Sequence, residues 1–240
     1  MRRLCGIRPS GRLHLGHYFS VLKPAKEFGC DILIAVLHAP SADFEDYMGN
    51  ARYHILQQYG NIKPQANHFP PLFYFRLLEL APVGELQRMT QYKAGDHKNA
   101  HLLTYPVLMA CDVANYDEVY VGDDQQQHLE FARYLLRKFN AKYPDMQVAI
   151  PEAKIVGGRI MDLKDPTKKM SKSDPKSCLF LDDEPKTMRE KIMGAVTTTE
   201  GLKNLNTLYK EFCGGVGFPD QFCEEGKKVL SEYIIKKFHD

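Results

Sequence analysis

A chain of 240 residues, 44% hydrophobic and 26% charged, can bury a substantial core in one domain or in one domain with an appendage. Lys+Arg 32 against Asp+Glu 30 leaves a net charge of +2, which excludes an overall positive field for non-specific nucleic-acid binding; RNA contact must be local, and DNA binding is not expected. The six cysteines form no C-x-x-C pair and no compact Cys/His cluster of zinc-ligand spacing, so they read as reduced thiols of a cytoplasmic protein, and Pro9 and Gly11 interrupt the start before any apolar run that would make a signal peptide or membrane span.

Leu4 to Ile7 reads as a short buried strand ending in the turn Arg8-Pro9-Ser10-Gly11. A helix follows from Leu15 to Phe28, with Pro24 expected to kink or end it. Asp31 to Val36 is a second buried strand, so strand, helix and strand have the length of a parallel crossover unit. The apolar period of Tyr47, Ala51, Ile55, Leu56 and Tyr59 predicts an amphipathic helix over 43–59, ended by the proline-rich break from Pro64 to Pro71. Leu102 to Tyr116 reads as a helix despite Pro106, Val119 to Val121 as a third core strand, and Gln125 to Phe139 as a long helix. The alternation predicts an α/β fold with a doubly wound parallel sheet, in which ligands sit outside the carboxyl ends of the strands, at the turns after Ile7 and Val121. Beyond residue 180 helical patterns dominate, and the most basic stretch, with Lys227, Lys228, Lys236 and Lys237, falls in a final helix from Glu224 to Phe238. The expected organisation is a catalytic domain over 1–180, with a helical insertion at about 39–100, and a short helical domain over 181–240.

Two strings carry chemistry. His14-Leu15-Gly16-His17 places two imidazoles three apart at a helix start, on the same side, where free N–H groups and the positive end of the dipole favour a polyphosphate. Gly16 between them would let a flat base or a phosphate approach the backbone. Lys169-Met170-Ser171-Lys172-Ser173 lies between Pro166 and Pro175 in a segment with no core-forming pattern, predicted to be a surface loop. Lys169 and Lys172, beside Lys168, suit neutralisation of a leaving pyrophosphate. Each string alone also has a bland reading, as a helix-start accident or as a solvated turn. Their order and spacing together match the two defining motifs of class I aminoacyl-tRNA synthetases.

Further blocks resemble the tryptophanyl-tRNA synthetase family in particular: Gly6-Ile7-Arg8-Pro9-Ser10-Gly11, Gly84 to Gln91, Leu103 to Ala110, Val121 to Gln125, and Asp165-Pro166-Thr167-Lys168 before the lysine/serine string. They fall in the family's order and cover nearly the whole chain to about Tyr209. The resemblance implies an ATP-binding set of Arg8, Pro9, Ser10, Gly16, His17, Gly122, Asp123, Asp124, Ile160, Lys169, Met170, Ser171, Lys172 and Ser173. It implies a tryptophan pocket with Asp112 accepting the indole N–H, walled by Tyr105, Met109 and Val121 and completed by His38 and Gln125. Catalysis would rest on His14, His17, Lys93, Lys169 and Lys172, with ATP carrying Mg²⁺ and no metal ligand supplied by the protein. The implied partners are tryptophan, tRNA(Trp) and a second copy of the chain in a homodimer. Two alternatives stay open: a tyrosine-activating relative, and a synthetase-like regulatory protein that binds ATP and an amino acid without charging tRNA.

The chain departs from the family pattern at several points. It has Arg8 where the family has Gln, Val36 where it has Asp, and Ala94 and Gly95 where a second lysine follows Lys93. The stretch from His68 to Leu80 is shorter and more apolar than the segment that helps form the family's dimer interface. The family continues into a longer helical domain that reads the anticodon, so the resemblance implies an unusually short C-terminal part.

Overall fold

Strand β1 (Arg3–Ile7) buries Leu4, Cys5 and Ile7 and pairs in parallel on both sides, which makes it the centre of the sheet. The structure is a computed structural model that describes residues 1–39, 51–65, 68–96, 98–157 and 160–239. These fall into two units, Met1–Ser10 with Phe19–Gly157 and Gly11–Tyr18 with Gly158–Asp240. That grouping differs from a boundary at residue 180. The backbone explains it: Leu15 N–H donates to Leu179 O at 3.1 Å and Leu181 N–H to Leu13 O at 2.9 Å, which ties the first motif to the later segment.

From β1 the chain runs through α1 (Leu15–His17), a π-helical turn over Tyr18–Leu22, and α2 (Lys23–Phe28). Pro24 stands at the start of α2, where its missing N–H is least needed, and the stretch expected as one helix is divided just before it by the wider turn. Then come β2 (Asp31–Ile34), α3 (Ala51–Gln57), β3 (Ile62–Pro64), α4 (Pro71–Leu80), α5 (Val83–Leu86), α6 (Thr90–Ala94), α7 (Ala100–Val113), β4 (Glu118–Val121), α8 (Gln126–Lys142) and β5 (Glu152–Ile155). Of the helix expected over 43–59, residues 51–57 form α3; residues 43–50 lie outside the described residues.

The sheet is parallel throughout, in the order β3-β2-β1-β4-β5, and flanked by helices. Its three central strands are nearly continuous apolar runs, as strands covered on both faces require. The two edge strands are polar, with Lys63 and Pro64 in β3 and Glu152 and Lys154 in β5, which suits an edge that must not recruit another strand. The unit's core joins Leu4 and Leu33 of the sheet to Val107 and Ala110 of α7, Leu129, Leu135 and Phe139 of α8, and Leu77 of α4. Asn99 caps α7 by accepting from Leu102 N–H at 2.9 Å, and the helix continues through Pro106.

The second unit packs α9 (Pro185–Met193), α10 (Thr199–Phe212) and α11 (Cys223–His239) around Met188, Ile192, Leu205, Leu208, Leu230 and Ile234. Lys227, of the basic stretch in the final helix, is buried: its Nζ donates to Ala195 O at 2.6 Å and Met193 O at 3.2 Å, beside the end of α9. In α10, Thr198 caps by accepting from Gly201 N–H, and a Cβ on Gly201 would run into the Val196 carbonyl. Glycine in a helix normally costs about 1 kcal/mol relative to alanine. Here the sign should invert: Gly201→Ala is expected to lower the urea midpoint, with a loss of more than about 1 kcal/mol, whereas a gain would show that the contact relaxes freely.

Candidate active site

The first unit gathers its polar groups where α7 passes the turn after β2 and the end of β3. Asp112 is 4% exposed, yet both carboxylate oxygens accept: Oδ1 from Gln65 Nε2 at 2.6 Å, and Oδ2 faces His38 Nε2 at 2.8 Å. Gln65, 1% exposed, also accepts Leu37 N–H through Oε1 at 2.7 Å, so one amide fixes the carboxylate and the His38 turn together. His68 Nε2 lies 2.8 Å from the Asp112 carbonyl oxygen.

Tyr105 stands two turns earlier on α7, its ring 4.1 Å from that of His38 and 5.3 Å from that of His128. Burial pushes its phenol up; the Arg8 charge opposes this, while Asp112 and Asp124 add to it. Arg8, His38, Asp112 and Asp124 are thus each within electrostatic or direct reach of Tyr105, with Met109 and Val121 buried. Gln125 donates to Asp124 Oδ2 at 3.0 Å, beside Asp123 in the short turn that follows β4. A Cβ on Gly122 would lie 2.8 Å from Asp124 Oδ1, so glycine keeps this turn tight. Pro9 is buried, Ser10 is exposed with its N–H on Arg8 O at 2.8 Å, and Lys93 is exposed in the last turn of α6.

The second unit holds the two motif strings. His14 caps α1 with its ring: Nδ1 accepts Gly16 N–H at 3.0 Å, while His14 N–H donates to His17 Nδ1 at 3.1 Å. Both Nδ1 atoms are acceptors, so in the neutral rings both Nε2 atoms carry the proton and are donors. At Gly16 a Cβ would lie 2.7 Å from His14 Cε1, so glycine lets the His14 ring close over its N–H. Burial, with the charges of Lys172 and Lys169 adding to it, lowers the His14 imidazole to about 4, which places His14 in the field of these lysines. The Lys172 side chain also crosses Gly11, whose φ of +59° suits glycine.

The lysine/serine string is one leg of a hairpin rather than a wholly loose loop. Met161 bridges Lys169 in antiparallel fashion, Met170 N–H donates to Ile160 O at 2.9 Å, and both Met170 and Ile160 are buried. Ser171 and Ser173 are exposed and bonded to each other, with Lys169 exposed and Lys172 half-buried. The turn hangs on buried Asp162, whose Oδ1 accepts Lys164 and Asp165 N–H and whose Oδ2 accepts the Ser177 hydroxyl.

Sequence reading missed Gln65, His68, His128 and Asp162. Gln65 sits in a proline-rich stretch that reads as a break. His128 gave one usable signal, its place three residues beyond Gln125 on one helix face.

A family model described as class I tRNA synthetases (W and Y) matches residues 73–239. Tryptophan–tRNA ligase of Bacillus anthracis is 38% identical over 261 residues, which cover 92% of this chain and 78% of that protein. The crystal structure of tryptophanyl-tRNA synthetase from Mycoplasma pneumoniae superposes with a TM-score of 0.78 at 27% identity, covering 99% of this chain and 85% of that one. The Campylobacter jejuni tryptophanyl-tRNA synthetase, solved with ADP and tryptophan, gives 0.76 at 27% identity, covering 99% and 86%.

Two measurements check this geometry. Gln65→Leu strips a donor from Asp112 and an acceptor from Leu37 N–H, so it should cost on the order of 1–3 kcal/mol in urea unfolding; a neutral result would dissolve the network. His14 and His128 both have folded values of about 4, below the ordinary 6.5. The unfolded chain therefore binds more protons between these limits. The stability from keeping both rings neutral is present in full above about 6.5 and falls as pH drops toward 4. Unfolding at pH 7 and pH 5 should differ by roughly 1–2 kcal/mol per histidine, a slope that His128→Phe should reduce.

Proposed function

Because the chain belongs to the class I tRNA synthetases of the tryptophan and tyrosine group, we propose that it activates tryptophan with ATP and transfers the tryptophanyl group to tRNA(Trp). The observation that carries this reading is the buried Asp112 carboxylate, held in one orientation by Gln65 and His38. A fixed buried acceptor favours a side chain that brings an N–H donor and rejects one without it. The curated relative from Bacillus anthracis is a tryptophan–tRNA ligase, which sets tryptophan above tyrosine.

The first step is in-line attack of the tryptophan carboxylate on the α-phosphorus of ATP, forming a P–O bond as the bond to pyrophosphate breaks. Mg²⁺ enters on the triphosphate as part of the nucleotide substrate. Tyr105, Met109, Val121, His38 and Gln125 hold the amino acid with Asp112. Arg8, Pro9, Ser10, Gly122, Asp123, Asp124 and Ile160 belong to the nucleotide set. The Nε2–H groups of His14 and His17 donate to phosphate oxygens as charge grows, and Lys169 and Lys172, with Lys93, neutralise the leaving pyrophosphate. The terminal ribose of tRNA then takes the aminoacyl group and AMP leaves. The chain works in the cytoplasm as a homodimer, for which exposed Leu72 and Phe75 on α4 offer an apolar face.

Amino-acid-dependent exchange of labelled pyrophosphate into ATP tests the first step without tRNA. Exchange with tryptophan alone is expected. Asp112→Ala should lower kcat/KM for tryptophan by on the order of 10–100-fold. Lys172→Ala should lower kcat with little change in the tryptophan KM. Nucleotide binding with no exchange for any amino acid would remove the activation reading.

A further inference from the structure

Among the described residues of the first unit, His38 Nδ1, Gln91 Oε1, Arg133 Nε and both ring nitrogens of His128 are buried without a hydrogen-bond partner, so His128 alone of these side chains has every polar atom unmet. It is 2% exposed, and among the described residues neither ring nitrogen meets a hydrogen-bond partner. Buried polar atoms without partners are rare in native proteins and point to something that arrives later, a water or a ligand. His38 is different, since its Nε2 is engaged by Asp112. His128 occupies the first turn of α8, three residues beyond Gln125, with its ring 5.3 Å from that of Tyr105.

We propose that His128 is a further substrate-binding residue, whose ring nitrogen accepts a hydrogen bond from the α-ammonium of the bound amino acid beside Tyr105. This inference rests on the amino-acid pocket assigned above. An amino acid brings three polar features to such a pocket. Asp112 takes the side-chain donor, and the carboxylate must stay free of a tight cationic partner in order to attack phosphorus. The ammonium needs a neutral or negative acceptor. A neutral imidazole supplies one without a charge that would pair with the carboxylate.

The surroundings keep the ring in that state. Burial, with His38 adding to it, lowers His128 to about 4, so the ring is neutral at pH 7. Asp124 opposes this shift, which means its negative potential reaches the ring and favours a cation there. The Asp123–Asp124 pair just before α8 also offsets the positive helix end that would repel an ammonium.

Two analogues separate the roles: tryptamine keeps the ammonium and lacks the carboxylate, and indole-3-propionate does the reverse. Calorimetric titration of the full chain with each is expected to show that His128→Phe weakens tryptamine about tenfold or more while indole-3-propionate binds as before. His128→Gln, which restores an acceptor oxygen, should recover most of the loss, and the tryptophan KM in exchange should follow tryptamine. Equal weakening of both analogues, or none for tryptamine, would overturn the proposal. Wild-type binding of tryptamine without exchange would sink the activation reading and leave the His128 contrast standing. Should exchange select another amino acid, its decarboxylated and deaminated forms put His128 to the same trial.

Discussion

A carboxylate taken out of water is costly unless its oxygens are met by donors, and the arrangement around Asp112 follows from that constraint. Gln65 and His38 meet the two oxygens, and His68 meets the carbonyl of the same residue. Each partner comes from a different stretch of chain: the turn after β2, the end of β3, and the segment leading to α4. The Leu37 N–H to Gln65 bond closes the loop, so the residue that presents a specific acceptor also pins three loops to α7. Loss of any one donor would leave a buried charge underpaired, and the loops would lose their common anchor.

The second unit solves a different problem at α1. A helix start has orphan N–H groups, usually met by Ser, Thr, Asp or Asn. Here imidazoles do that work through Nδ1, which leaves Nε2–H directed away from the backbone as an uncharged donor. The nearby lysines lower His14 further, so charge on the lysines and neutrality of His14 support each other. A site handling a polyphosphate gains from this division: the lysines carry the positive charge, and the imidazoles carry direction.

What was legible in the sequence follows the physics of burial. The central strands showed as apolar runs because both their faces are covered, and α7 and α8 showed by apolar content and length. β3 and β5 did not, because edge strands are kept polar and, in β3, end in proline. The two motif strings and Asp112 stand out by resemblance, since residue type and order are enough to single them out. Gln65 and His128 were not, because a lone amide or imidazole gains meaning only from partners 47 residues away, as for Gln65, or from the lack of any among the described residues, as for His128. Met170 was read with a surface loop, whereas its neighbours are exposed and its own side chain anchors the hairpin.

The departures from the family pattern also have a physical reading. Where a second lysine is expected soon after Lys93, the chain has Ala94 and Gly95, and a Cβ on Gly95 would lie 2.5 Å from Leu102 Cδ2 and 3.3 Å from the Gln91 carbonyl oxygen. A longer side chain at 95 would therefore require the tip of the half-buried Leu102 side chain, in the first turn of α7, to move aside. At position 8 the change runs the other way: arginine replaces the expected glutamine, and its charge is felt at Tyr105. Positive charge has in effect moved from the end of α6 to the turn after β1. A cation at that turn acts on the proposed amino-acid pocket through Tyr105, where it opposes the carboxylates of Asp112 and Asp124. An ammonium held beside the same phenol must share that field, which is why an uncharged acceptor such as His128, with Asp124 behind it, suits the position better than a second cationic side chain would.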